Sequence, residues 1–402
     1  MSLRAAPAAP TSPHDALAAL RAETVIVERE RVELPRALGR VLAEDLRADR
    51  PSPACDVSAM DGFAVRARDL ARGTLAIAAE VRIGRPPPAL VPGSAVRIVT
   101  GGAVPEGADT IVRREDVQEE AGAIVIETST AARIAVGAEI RREGENGREG
   151  DPVVGAGTLL DAANASALAS FGRSTIDVHR RVRVALLMTG DELVDPGAPA
   201  TRWQVRDSNG LALRALLDRP WIELLSFPRI PDDLDATRAS ITTALSSCDA
   251  LVLTGGVSMG VRDHVPDALR ACAVEVLFHR LAQRPGRPVL GGIAPGGRPV
   301  LALPGNPVSV QVTGRRLALP AIAWRAGMTR GRAPIAVLLR SALPDSGALW
   351  QHRLVAIAPD GTASIVPSSG SGDVVAIAKS DGFVEIPPRT TGAGPFPFYD
   401  WS

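Results

Sequence analysis

The sequence predicts a multidomain protein in which a central parallel α/β domain is flanked by β-rich segments. Three observations predict it. From Val182 to about Gly327, apolar strand-like runs alternate with runs of helical spacing, the pattern of a parallel sheet with helices on both faces. Before it, from Pro51 to Arg142, short β runs are separated by Gly and Pro, as in a small β domain or barrel. After it, Ile335 to Trp401 returns to short β runs, which suggests a second small β domain. A chain of 402 residues has room for roughly two to four domains.

Taken in order, the first dozen residues read as a disordered Ala/Pro-rich tail. Asp15 to Asp45 shows helical spacing at both ends around a short β-rich patch. The runs "FAVRA", "TLAIAAEV", "SAVRIVT", "DTIVRRE" and "AIVIET" follow as strands. Asp151 to Arg181 turns helical again, and "DAANASALASFG" ends at Gly172, placed to cap it. In the α/β region "RVRVALLMTGDEL", "WIELLSFPRIPDD", "DALVLTGGVSMG" and "RPVLALPGNP" each read as strand then loop. "NGLALRALLDRP", "LDATRASITTALSSC" and "DHVPDALRACA" read as the helices between them.

Composition narrows the function classes. There are 45 basic and 45 acidic residues, and aromatics make up 3%. Nucleic-acid binding wants a basic surplus and, for single strands, stacking platforms; neither is present. Lys379 is the only lysine, so cationic contacts to an anion fall to planar, permanently charged guanidinium groups. No run reaches the roughly 18–20 apolar residues of a membrane span, and no apolar stretch of a secretory signal follows the first arginine. Cys55, Cys248 and Cys272 are odd in number and far apart, which fits neither a disulfide framework nor a zinc pattern. A cytoplasmic, reducing compartment is expected.

Ligands of open α/β sheets bind beyond the carboxyl ends of the strands, and four loops fall at that edge. "TGDEL" carries Thr189, Gly190, Asp191 and Glu192; "PDD" carries Asp232 and Asp233. "TGGVSMGVRD" carries Gly255, Gly256, Ser258 and Asp263; "LPGNPVS" carries Pro304, Gly305, Asn306 and Pro307. Singly, each has a plain structural reading: Asp232 or Asp233 as a helix N-cap, Pro307 as the first residue of a helix, the glycines as turns. Together they suggest more. Glycine-turn amides attract anions, carboxylates on the same rim repel them, and Mg²⁺ held by one or two acids and a phosphate reconciles the two. The residues alone leave the structural and the phosphate-plus-metal readings both open.

A second cluster lies in the first β-rich stretch. "CDVSAMDGFAVR" places Asp56 and Asp61 around a small-residue turn, where Asp61-Gly62 reads as a hairpin dipeptide. "RIVTGGAVPEGADTIV" ends a strand at Thr100. These segments, with "IRREGE", "ALLMTGDELV", "RDSNGLAL", "TGGVSMGVRDH", "RPGRP", "LPGNPVS" and "SSGSGDVVAIAKSDGFVEIP", resemble the molybdenum cofactor biosynthesis family of MoeA and the gephyrin E domain, the molybdopterin molybdenumtransferases. They run in the family order over about Arg36 to Ile386.

The resemblance implies an enzyme that takes adenylylated molybdopterin and molybdate, releases AMP and inserts molybdenum with Mg²⁺. It implies a homodimer that makes transient contact with other molybdenum-cofactor enzymes, with no nucleic-acid or membrane partner. It implies four domains: a linking domain over 14–50 plus 147–180, a β-rich domain over 51–146, an α/β molybdopterin-binding domain over 181–328 and a C-terminal β-barrel-like domain over 329–402, after a tail of residues 1–13. Carried over by motif, Asp61, Thr100, Glu192, Asp232 and Asp263 are the catalytic set, with Glu192, Asp232 and Asp263 on the metal. Thr189, Gly190, Asp191, Ser208, Asn209, Gly255, Gly256, Ser258, Arg280, Arg284, Arg287, Pro304, Gly305, Asn306 and Pro307 would line the cofactor. Within that set Gly255, Gly256 and Ser258 would approach the pterin phosphate, and Arg284 and Arg287 would bind oxyanions. Several positions depart from the family pattern: Asn146 replaces an aspartate, Phe63 and His264 replace tyrosines, and Arg280, Arg284 and Arg287 stand where lysines are usual, a change that keeps the charge but alters the geometry. The alternative expectation is a specialised or non-catalytic paralogue that carries molybdopterin or handles tungstate.

Overall fold

A computed structural model describes residues 12–257, 263–329 and 333–402. Its contacts divide the chain into two units. One comprises Met1–Glu44, Gly155–Ser166 and Ser174–Ser402; the other comprises Asp45–Val154 and Ala167–Arg173.

The larger unit is built on a six-stranded sheet. Its strands are β1 (Val182–Met188), β2 (Ile222–Ser226), β3 (Ala250–Thr254), β4 (Glu275–His279), β5 (Leu290–Ala294) and β6 (Arg298–Leu303), in the order β2-β1-β3-β6-β5-β4. The near-continuous apolar character of β1, β3 and β6 follows from burial on both faces, whereas β2 and β4 are partly exposed edge strands. Along β1, Val184, Leu186 and Met188 enter one core while Ala185 and Leu187 enter the other. Leu213, Leu216 and Leu217 of helix Asn209–Leu217 cover the first face. Ile241 and Ala244 of helix Leu234–Ser247 and Val265 and Leu269 of helix Val265–Ala271 cover the second.

The sheet is mixed, which corrects the expectation of a parallel one. β2, β1, β3 and β6 are parallel, but β5 runs antiparallel to β6 and β4 antiparallel to β5. Ala294 and Arg298 are paired across a short turn in which Gly296 and Gly297 have φ of 84° and 67°. A connection that short admits no crossover helix, so the two strands must be antiparallel.

The N-terminal segment of this unit contains one helix where the spacing suggests two. Ser12 and Asp15 form a capping box for helix Pro13–Glu23, which buries Ala16 and Leu20. The second expected helix is only a 3₁₀ turn at Leu34–Ala37. Gly39 follows with φ 72°, where a Cβ would meet Pro220 at 2.6 Å, and Val41 and Leu42 then bridge to Leu159 and Val178 as extended chain. Tertiary pairing overrides the helical spacing there.

The C-terminal strands form a second sheet in the order Gln283–Arg284, Trp350–Ile357, Gly382–Ile386, Phe396–Asp400, Ile335–Val337, with Ala363–Ile365 on Trp350–Ile357. The path curls back on itself: Leu339, just after Ile335–Val337, bridges Ala363, with Ala363 N–H donating to Leu338 O (2.8 Å) and Arg340 N–H to Ala363 O (2.9 Å), so the sheet is barrel-like. Its first strand comes from within the α/β stretch of the sequence. A buried ionic cluster fastens the sheet: the Glu385 carboxylate accepts from Arg316 Nε at 2.6 Å and lies 3.1 Å from His352 Nε2 and from His14 Nε2.

The smaller unit contains a six-stranded sheet in the order Thr110–Arg113, Gly62–Val65, Ser94–Ile98, Thr74–Glu80, Ala123–Val125, Gln118–Glu120. Five of these are the runs read from sequence; Gln118–Glu120 is additional. Gly62 opens a strand rather than a hairpin turn. A Cβ on it would stand 2.0 Å from Val112 O, so glycine is required by close backbone approach. Gly172 caps its helix as expected: φ is 73°, and Arg173 N–H returns to Leu168 O. Among the described residues no helix is long and apolar enough to cross a membrane.

Candidate functional site

The loops beyond β1, β3 and β6 are held together by backbone bonds that continue the sheet past its strands. Thr189 N–H donates to Thr254 O (3.0 Å), Gly190 N–H to Ile230 O (3.3 Å) and Gly255 N–H to Leu303 O (3.2 Å). Thr254 Oγ1 donates to Pro304 O, and Asn209 Nδ2 donates to Gly305 O at 2.6 Å. The packing leaves no space for a side chain at Gly255. A Cβ on Gly255, whose φ is 91°, would meet Thr189 Oγ1 at 2.5 Å and Thr189 O at 2.7 Å. A Cβ on Gly305 would lie 3.8 Å from the Gly255 Cα.

These loops enclose a cleft of about 350 Å³. Of the residues singled out from sequence, Thr189, Gly190, Glu192, Asp232, Gly255, Gly256, Asp263, Pro304, Gly305 and Asn306 line it. Asp191 flanks it and is locked to Asp232: Asp232 N–H donates to Asp191 Oδ1 (3.1 Å) and Asp191 N–H to Asp232 Oδ2 (3.4 Å). The neighbouring acid has a different task. Asp233 is the N-cap of helix Leu234–Ser247, accepting from Ala236 N–H. The capping reading therefore belongs to Asp233 and leaves Asp232 facing the cleft.

The glycines do not all serve an anion in the same way. Gly190 and Gly255 use their N–H groups in the sheet extension and contribute open backbone. The N–H groups of Gly256 and Gly305 make no hydrogen bond among the described residues and are the donors left for a ligand. Ser258 lies outside the described residues. Pro307 is the first residue of helix Pro307–Thr313, and Ser208 precedes helix Asn209–Leu217 without a side-chain capping bond.

A second cleft, of about 770 Å³, shares Pro288, Pro304 and Asn306 with the first. Arg284, Arg287 and Arg353 line it. All three are exposed and have no side-chain hydrogen bond or ion pair among the described residues. Arg280 sits apart from both linings in a left-handed conformation, φ 74°, with its N–H on Val289 O. Three features escape the sequence reading. Arg353 alternates with buried His352 on strand Trp350–Ile357, a period-two signal that exposes it. Pro288 joins the two clefts, and Ser371 anchors Asn306 Nδ2 at 2.8 Å; both fall inside the matched segments "RPGRP" and "SSGSGDVVAIAKSDGFVEIP" but are not singled out there.

Asp61 and Thr100 belong to the smaller unit and are brought together. The Asp61 Oδ1 atom accepts from Thr100 N–H (2.7 Å) and Thr100 Oγ1 (2.8 Å). These two bonds hold the Asp61 carboxyl below its usual range. The departures from the family pattern have settled surroundings. Phe63 is buried in a core cluster with Arg97 over its ring at 5.3 Å. Asn146 Oδ1 accepts from Arg141 at 2.8 Å. His264 precedes helix Val265–Ala271 and makes no side-chain capping bond.

Acids and open glycine backbone at the carboxyl ends of parallel strands, beside three arginines unpaired among the described residues, are the features an α/β protein uses to hold an anionic small molecule. Comparison with known proteins makes this specific. Residues 11–172 match the family model for the MoeA N-terminal region, domains I and II. Residues 185–324 match a probable molybdopterin-binding domain. The chain is 35% identical over 372 residues to a molybdopterin molybdenumtransferase of Synechococcus elongatus, covering 89% of this chain and 90% of that protein. It is 34% identical over 310 residues to that of Haemophilus influenzae, covering 76% and 75%. The crystal structure of a molybdopterin biosynthesis MoeA protein from Pyrococcus horikoshii superposes with a TM-score of 0.81 at 25% identity, over 97% of this chain and 99% of that one. The chain belongs to the MoeA family of molybdopterin molybdenumtransferases.

Proposed function

We propose that the protein inserts molybdate into adenylylated molybdopterin with release of AMP, in a Mg²⁺-dependent reaction. One observation carries this reading: Glu192, Asp232 and Asp263 share a small cleft with Gly256 and Gly305, next to a cleft lined by Arg284, Arg287 and Arg353. The Gly256 and Gly305 amides would hold oxygens of the phosphoanhydride. Asp232 and Asp263 would orient the water that adds to it, so that AMP leaves and one phosphate stays on molybdopterin. The arginines would hold the molybdate substrate, with Glu192 shaping the molybdate and dithiolene end.

Glu192, Asp232 and Asp263, the metal set read from the sequence, are not grouped as a three-ligand metal site among the described residues. One or two of these carboxylates, with phosphate oxygens and water, would hold Mg²⁺. Bound there, Mg²⁺ would neutralise the phosphates against the acids. The same reading takes the protein as a cytoplasmic homodimer, whose assembly sedimentation would check.

The test follows AMP after mixing the protein with adenylylated molybdopterin, Mg²⁺ and molybdate. Wild-type protein releases AMP, while Asp263→Asn slows release far more than it lowers the melting temperature. A wild-type protein that releases none refutes the reading. Equal loss of activity and stability in Asp263→Asn would make that residue structural.

A further inference from the structure

We infer that Trp203 is a stacking platform for a heterocycle of the substrate that projects past the rim of the small cleft. The inference rests on the proposed function for the identity of the ligand. Its own support is the excursion between Glu192 and Asp207. The chain leaves the cleft wall at Glu192 and returns through a two-residue parallel pairing of Leu193–Val194 with Val205–Arg206. Val205 N–H donates to Glu192 O (2.9 Å) and Asp207 N–H to Val194 O (2.8 Å). Both feet of the excursion are therefore fixed at the cleft: Glu192 lines it, and Asn209, two residues after Asp207, is bonded to the lining residue Gly305.

The tip is a built turn rather than a loose strand. Thr201 O accepts from Gln204 N–H (3.1 Å), and Gln204 Oε1 accepts from Thr201 Oγ1 (3.1 Å). This turn presents Trp203 at 77% exposure, whereas Trp221 is buried and Trp324, Trp350 and Trp401 are half-buried. An indole left in water forgoes a large burial free energy. Such exposure, on a turn whose feet are fixed at the cleft, leaves the ring open to a ligand that extends past the rim. Arg202 lies on the ring at 4.6 Å, which adds a cation to the stacking surface.

Reach is not limiting. Trp203 is two residues from Val205, so their Cα atoms are at most about 7.6 Å apart, and Val205 is bonded to the wall itself. The occupant follows from size and chemistry. The cleft of about 350 Å³ is near the lower end of the roughly 300–1,000 Å³ that drug-sized ligands fill. Adenylylated molybdopterin carries a fused-ring heterocycle at each end of a diphosphate link. With the phosphates in the cleft, a flat nitrogen heterocycle must extend beyond it, and stacking on an aromatic ring tolerates either pterin or adenine.

The experiment compares wild type, Trp203→Ala and Trp203→Phe for AMP release, and titrates tryptophan fluorescence with AMP and with molybdopterin separately. Trp203→Ala is expected to raise KM about tenfold to a hundredfold with kcat within about threefold, and Trp203→Phe to recover most of the loss. Quenching by AMP, absent in Trp203→Phe, assigns the ring to adenine; quenching by molybdopterin alone assigns it to pterin. An unchanged KM in Trp203→Ala overturns the inference. So does an unchanged KM with a smaller sedimenting species, which would place Trp203 in a contact between copies. If wild type releases no AMP, the functional reading fails, and the titrations still decide the stacking: quenching lost in Trp203→Phe supports it, and no quenching by either ligand overturns it.

Discussion

Asp191 and Asp232 clasp each other through their backbones: each carboxylate accepts the other residue's N–H, at 3.1 and 3.4 Å. The loop after β1 and the loop after β2 are thereby tied into one wall. The clasp predicts separable effects. Asp232→Asn keeps an acceptor oxygen and removes the charge. AMP release should fall at least ~10–100-fold, the loss typical of groups that support a bound metal. The melting temperature should move by under about 2 °C. A large drop in melting temperature would mean that the charge serves the fold.

Asp233, one residue on, should behave oppositely. It caps helix Leu234–Ser247 through Ala236 N–H at 2.8 Å. Asp233→Ala should cost ~1 kcal/mol in urea unfolding and leave AMP release per folded molecule unchanged.

Two glycines separate backbone strain from lost space. Gly361 has φ 79°, and a Cβ added there would have nothing within 4 Å, so Gly361→Ala should cost only ~1–2 kcal/mol of left-handed strain. Gly255→Ala adds a clash with the Thr189 backbone oxygen at 2.7 Å, and should cost more than Gly361→Ala while lowering affinity for the substrate. Equal denaturation midpoints for the two variants would contradict the tight packing of the cleft floor.

Stability should fall with acid through the cluster around Glu385. Arg316 and His352 hold its carboxyl down at about 2, against 4.5 for a free glutamate, although burial opposes this. Burial holds the His352 imidazole below its usual 6.5. Each group binds its proton more weakly folded than unfolded, so protons favour the unfolded chain. The His352 contribution is lost as pH falls below about 6.5, and that of Glu385 between about 4.5 and about 2. Glu385→Gln should cost ~3–5 kcal/mol by leaving buried Arg316 unpaired, and should flatten the lower part of the pH profile measured by chemical denaturation.

The sequence was most readable where pattern and pairing agree. The apolar runs of β1, β3 and β6 are buried on both faces, so their hydrophobicity marks them and places Asp191, Gly255 and Gly305 just beyond their ends. It was least readable where a distant partner decides. Leu34 to Asp45 has helical spacing, yet Gly39 and the bridges of Val41 and Leu42 draw it out. Gln283–Arg284 joins a sheet whose partner strand begins at Trp350, a separation no local pattern records. The same long-range pairing hides Arg353 as a neighbour of Arg284 and Arg287. Motif order, by contrast, brought Asp61 together with Thr100 and Asp232 together with Asp263 from sequence alone.

The most direct test of the account counts two products in one incubation of wild-type protein with adenylylated molybdopterin, Mg²⁺ and molybdate. AMP is measured by chromatography, and protein-bound molybdenum cofactor is measured by its ability to activate a cofactor-free molybdoenzyme. The account predicts AMP and cofactor in equal amounts, both abolished by chelating Mg²⁺. Cofactor formed without AMP, or AMP released with no molybdenum inserted, would contradict it.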